Sequence, residues 1–141
     1  MKQDPKAQIP GIDLTFADGR TGRIWGVSGL NDLRGESFDK ASRYLQQRAR
    51  QDGAFEWTIV IELDQVISSA ATSLLGLMRT LNAVVAEKPD RRSIVIDWRV
   101  KLGDDSMRSL ADDVKDQIEG LKNSCMKIKV VELRKPALGK R

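Results

Sequence analysis

WTIVIELDQVISSAATSLLGLMRTLNAVV, residues 57–85, changes its hydrophobic period half-way along, and that change decides the fold. Thr58-Ile59-Val60-Ile61-Glu62-Leu63 is rich in β-branched residues and nearly continuous in hydrophobicity, which predicts a central strand covered on both faces. From Ser68 or Ser69 to about Ala86 the period becomes helical. Leu74, Leu77, Met78, Leu81, Val84 and Val85 recur at three- and four-residue spacing and form one apolar stripe. Between the two lies the polar junction Asp64 to Thr72. A strand's carboxyl end meeting a helix amino terminus is the usual seat of function in an α/β sheet.

Outward from this unit the chain continues in the same alternation. Ile12 to Phe16 reads as a half-buried strand, Asp18-Gly19 as a turn and Arg23 to Val27 as the returning strand of a hairpin. Glu36 to Arg50 reads as a helix with Phe38, Ala41, Leu45 and Ala49 on its apolar side and Lys40, Arg43, Gln47 and Arg50 opposite. Asp52-Gly53 and Lys88-Pro89-Asp90 break the chain on either side of the central unit. Ser93 to Trp98 is a further strand, and Met107, Leu110, Ala111, Val114, Ile118 and Leu121 mark a third helix behind the cluster Gly103-Asp104-Asp105-Ser106. Met126 to Leu133 closes the domain as a last strand. The order ββαβαβαβ predicts an α/β domain over residues 12–133, with a mostly parallel sheet, an antiparallel N-terminal edge and helices packed on it. Residues 1–11 read as a flexible lead and 134–141 as a tail.

Composition narrows the chemistry. The 141 residues are 40% hydrophobic and 31% charged, which is globular, and no apolar run nears the ~20 residues a bilayer crossing needs. MKQDPKAQIPG lacks the apolar segment of a signal peptide, so a cytoplasmic location is expected. With no histidine and one cysteine, Cys125, the histidine triads and an internal disulfide are excluded. Cys125 reads as a small apolar filler. The net charge of +4 belongs to the tail RKPALGKR, whose four bases, taken from 24, leave the other 133 residues with 20 of each sign. Aromatics at 5% leave little for base stacking, so no specific nucleic acid is expected as partner. No cofactor or metal motif is present in the sequence, and catalysis is the minority reading. Its best form is a phosphatase or nucleotide-handling enzyme using Asp64 or Asp97 with a divalent cation.

Ser68, Ser69 and Thr72 have two readings. Each can cap the helix by accepting from its first amides. A hydroxyl left over would lie beside the positive end of the helix dipole, where a phosphoryl group is electrostatically favoured. Gly35-Glu36-Ser37 likewise frees the backbone, favours the dipole and offers Ser37 as a cap. Asp97-Trp98 is either a recognition rim or a core indole beside a solvated acid. Asp104 and Asp105 are N-terminal charges for the third helix.

A strand with an acidic end followed by a hydroxyl pair opening an amphipathic helix resembles STAS-type domains, the fold of anti-sigma-factor antagonists. The chain is more similar to the SiaC-type regulatory phosphoproteins, through Gly35-Glu36-Ser37, Ile67-Ser68-Ser69-Ala70 ahead of Leu74-Leu75, and Asp97-Trp98 with Asp104-Asp105. It departs from that pattern at Ile67, Thr72, Arg99 and Lys101. The resemblance implies a STAS-like fold in a non-enzymatic protein that binds a diguanylate cyclase and is switched by phosphorylation. Ser68 takes the place of the modified residue, with Ser69 and Thr72 as alternatives, and Gly35, Glu36, Ser37, Asp64, Asp97 and Trp98 are the implied partner contacts. A Ser/Thr kinase and a phosphatase are then required. The alternative is partner switching of the anti-sigma-factor-antagonist kind.

Overall fold

The computed structural model describes residues 10–29, 32 and 35–133. Among these, the elements run β1 (Gly11–Asp13), β2 (Thr21–Ser28), α1 (Glu36–Asp52), β3 (Phe55–Val66), α2 (Ser68–Glu87), β4 (Arg92–Lys101), α3 (Asp105–Glu119) and β5 (Lys127–Leu133). The strands lie in the order β1-β2-β3-β4-β5, with β1 antiparallel to β2 and every other pair parallel. The α/β architecture and its element order are those expected. The proposed tail, 134–141, and most of the proposed lead lie outside the described residues.

Because the parallel strands follow one another without a reversal, right-handed crossovers place all three helices on the same side of the sheet. Burial bears this out. Along β3 it alternates strictly from Phe55 to Leu63, with Trp57, Ile59, Ile61 and Leu63 buried and Glu56, Thr58 and Glu62 turned the other way. β4 alternates in the same phase. The expectation of a central strand covered on both faces is therefore corrected: β3 is central, but one face of the sheet is open. Val60, Val95 and the β-branched Thr58 on that open face are what made the run look doubly buried.

The core gathers on the helical side. Leu74, Leu77, Met78, Leu81, Val84 and Val85 of α2 are all buried, and so are Phe38, Ala41, Leu45 and Ala49 of α1. One polar side chain joins them: Asn82 accepts from the Cys125 amide (3.0 Å) and donates to the Asn123 carbonyl (3.2 Å), pinning α2 to the segment that enters β5.

The N-terminal hairpin is looser than expected. β1 is three residues long and begins at Gly11, with Pro10 already buried, so residues 10 and 11 belong to the folded domain and not to a flexible lead. Leu14 and Phe16 leave the strand and enter the core, Phe16 with a left-handed φ of 49°. Its carbonyl accepts from Gly19, and the Asp18 carboxylate accepts from the Arg20 and Thr21 amides at 2.8 and 2.7 Å.

Phe16 turns inward to stack on Trp57, ring centroids 4.1 Å apart, and Trp57 stacks in turn on Phe55 at 3.6 Å. A guanidinium closes each end of the column, Arg48 over Phe16 and Arg92 over Phe55. Arg92 is 4% exposed and makes four hydrogen bonds: it donates to the carbonyls of Gly53 (2.7 Å), Val84 (2.8 Å) and Ala49 (3.1 Å) and pairs with Glu87 (2.9 Å). It thus takes up the Val84 carbonyl near the end of α2 and the Gly53 carbonyl just after α1, and adds a second donor to the Ala49 carbonyl, which already accepts from the Gly53 amide (3.0 Å). Arg92→Met keeps the bulk and strands the Val84 and Gly53 oxygens, which cost about 1–3 kcal/mol each when buried and unpaired, and leaves Ala49 with its Gly53 donor. Urea unfolding is expected to show a loss of at least about 3 kcal/mol, whereas a loss under about 1 kcal/mol would mean water reaches the oxygens freely.

Candidate functional site

The candidate site lies at the carboxyl edge of the sheet. β3 ends at Val66, and Ile67 then ties the junction to the neighbouring strand by donating its amide to the Ser28 carbonyl (3.0 Å). α2 starts at once. Its N-cap is Ile67, extended at φ −69° and ψ 151°, with no side-chain cap and no acid in the first turn. The capping reading of Ser68, Ser69 and Thr72 is thereby corrected, since a residue at the first helical position or beyond is already past the place from which a hydroxyl caps. All three are exposed. Ser68 lines a groove of about 330 Å³ between the starts of α2 and α3, where Asp64, Asp104 and Asp113 also converge.

Those carboxylates are held differently. Asp104 is the N-cap of α3 and accepts from the Met107 amide (3.0 Å), as its expected role required. Asp64 pairs with Lys101 (2.6 Å), and that hydrogen bond, more than the charge attraction, holds the Lys101 ammonium above its ordinary range. Both partners are largely exposed, so the pair positions Asp64 more than it stabilises the fold. Among the described residues, no three His, Cys, Asp or Glu side chains gather closely enough to hold a metal ion.

Gly35-Glu36-Ser37 lies nearby. Gly35 sits at φ 68° as the N-cap of α1, and a Cβ there would come within 2.6 Å of the Ser73 Cβ and 3.0 Å of the Ala70 carbonyl. This glycine lets the first turn of α1 press against that of α2. Glu36 is exposed and Ser37 half-buried. Ser37 is not the cap. Its amide donates to Asp32 Oδ1 (2.9 Å), while Asp32 Oδ2 accepts from the Ser28 hydroxyl (2.7 Å). Asp32, 2% exposed, thus joins the end of β2 to the start of α1. It was not foreseen; its only trace in the sequence is an acid four residues ahead of Glu36.

Asp97 and Trp98 point in opposite directions, as neighbours on a strand must. Asp97 lies on the open face, where Arg99 bonds it (3.1 Å) and also reaches Glu62 (3.7 Å). Trp98 is wholly buried, its Nε1 without a partner among the described residues, so of its two readings the recognition rim is corrected to a core indole. The expected site residues thus fall in four places: Ser68, Ser69, Thr72 and Asp64 at the carboxyl edge; Gly35, Glu36 and Ser37 beside it; Asp97 on the open face; Trp98 in the core.

Comparison with known proteins finds no matching family, no matching curated protein and no matching solved structure.

Cys125, expected as a core filler, is exposed, with its sulfur 3.2 Å from the Asn123 carbonyl. Partial burial of the sulfur pushes the thiol up from its ordinary value. Since the thiolate is the nucleophile, alkylation by iodoacetamide near neutral pH is expected to run slower than that of free cysteine and to climb at higher pH. An equal or faster rate would remove that picture of the sulfur's surroundings.

For Gly35→Ala the left-handed backbone and the clash with Ser73 add, so a loss of about 2–4 kcal/mol in thermal or urea unfolding is expected. Restoring part of it by pairing Gly35→Ala with Ser73→Gly would show that the close approach of the two helices is the cause.

Proposed function

We propose that this chain is a non-enzymatic regulator that docks on a signalling enzyme, by its resemblance to SiaC-type proteins a diguanylate cyclase, and that phosphorylation of Ser68 switches the docking. One observation carries the reading: Ser68 is exposed, opens α2, makes no side-chain hydrogen bond to the described residues and faces the groove that holds Asp64, Asp104 and Asp113. Modifying it changes the charge of the groove without dismantling the helix.

The physics follows from the position. A phosphoryl group brings about −1.5 to −2 charges. The start of α2 receives it well, because no acid of the first turn has already answered its dipole. The groove does not, since three carboxylates already stand there. A partner presenting acidic groups to the groove meets a repulsion of about 2 kcal/mol for each pair of unit charges ~8 Å apart at an effective dielectric constant of ~20, and one presenting apolar groups must desolvate the new charge. That exceeds the ~1.4 kcal/mol of a tenfold change in affinity. Writing and erasing the mark require a Ser/Thr kinase and a phosphatase, and the reading places the protein in the cytoplasm. No step of it calls on a bound cofactor.

The test is a pair of variants. Ser68→Ala removes no cap bond, so its stability is expected within about 0.5 kcal/mol of the parent and its complex intact. Ser68→Asp favours the helix start and is expected to be at least as stable as the parent while losing the complex, measured by titration against the partner recovered from native lysate. If both variants bind as the parent does, Ser68 is not the switch, and Ser69 and Thr72 become the positions to change.

A further inference from the structure

On the other side of the molecule from the open sheet face's centre, the short edge strand and the first helix leave a groove of about 410 Å³ between them. Its floor is apolar, built by Pro10, Ile12, Leu14, Ala41 and Tyr44, and among the described residues its one charged lining residue is Lys40. Tyr44 stands at the rim, 39% exposed. Arg48 closes one end, donating to the Tyr44 hydroxyl (3.3 Å) and to the Thr15 carbonyl of the groove wall, while its own charge is answered by Asp52 (2.9 Å). Among the described residues no carboxylate lines the cavity. An apolar floor with a lysine on its edge is complementary to an apolar anchor carried beside a carboxylate.

The chain's own segments outside the described residues have the wrong sign for this place. Residues 1–9 carry Lys2 and Lys6 against one acid, Asp4, and residues 134–141 carry four bases and no acid. A peptide with those charges would be repelled by Lys40 rather than held by it. We infer that the groove between β1 and α1 receives an amphipathic segment of a partner protein whose apolar side chains fill the floor and whose carboxylates answer Lys40. This contact is separate from the Ser68 groove and does not depend on the switch proposed there.

The experiment uses the full chain with isotope labels and two short synthetic peptides, each carrying Leu at i, i+3 and i+7, one with Glu and one with Lys at the remaining positions. The Glu peptide is expected to bind about tenfold or more tightly than the Lys peptide at low salt, shifting the resonances of Ala41 and Tyr44. Lys40→Glu, an exposed change that leaves the core alone, is expected to reverse that preference. Tyr44→Ser weakens both peptides, and Ser68→Asp leaves the binding unchanged, so failure here and failure of the phosphorylation switch are read apart. Equal affinity for the two peptides, shifts confined to another surface, or contacts between Tyr44 and Ile9 that neither peptide displaces would each overturn the inference. So would self-association on sedimentation that Tyr44→Ser abolishes, which would make the occupant a second copy of this chain.

Discussion

Arg48, Phe16, Trp57, Phe55 and Arg92 form one column, three stacked rings between two guanidinium groups, at the end of the sheet where the parallel strands begin. Stacked pairs add about 0.5–1.5 kcal/mol each beyond their burial, and a partly desolvated cation over a ring adds a comparable amount. The greater importance lies in what the column joins. Phe16 brings in the connection between β1 and β2, Arg48 brings in α1, and Arg92 carries the bonds on to the ends of α1 and α2. Four segments distant in sequence are held at one place, and Phe16 accepts a left-handed backbone to take part.

With one end locked by rings and buried hydrogen bonds, the opposite edge is the more lightly tied. There the loops are held by single polar contacts: Asp32 to Ser28 and Ser37, Asp104 to Met107, Asp64 to Lys101. Such an edge can accept a new charge and redistribute it at small cost to the fold. The division suits a protein whose surface is to be altered while its core is not.

How much of this was legible varies with the range of the forces concerned. The change of period after Val66, the stripe from Leu74 to Val85 and the cap at Asp104 are local, and the sequence displays them. The coverage of β3 was misread because faces are assigned by strand order, and outward Val60 and Val95 look like inward ones until neighbours are known. The serines at the α2 start were read as caps because a hydroxyl beside a helix usually is one; a shift of a single residue, with Ile67 taking the cap position, undid that. Asp32 and Arg92 escaped notice since each acts on residues it meets only after folding, Arg92 reaching back 39 and 43 positions to Gly53 and Ala49. Trp98 next to Asp97 could not be placed without knowing which face of β4 looks inward.

Gly11 has no side chain, and the indole of Trp25 occupies that place, so close that a Cβ on Gly11 would lie 2.2 Å from the ring. Arg23 covers the same ring from 5.0 Å, yet Trp25 remains 38% exposed. The molecule's three indoles therefore live in three media: Trp57 pressed between phenyl rings, Trp98 in a dry interior with no acceptor for its N–H among the described residues, and Trp25 wet and beside a cation. Their light emission separates accordingly, the dry Trp98 to the blue and Trp25 to the red, with Trp25 alone open to a dissolved quencher. The protein carries its own colour-coded gauge, one lamp for the locked end, one for the interior and one for the open face.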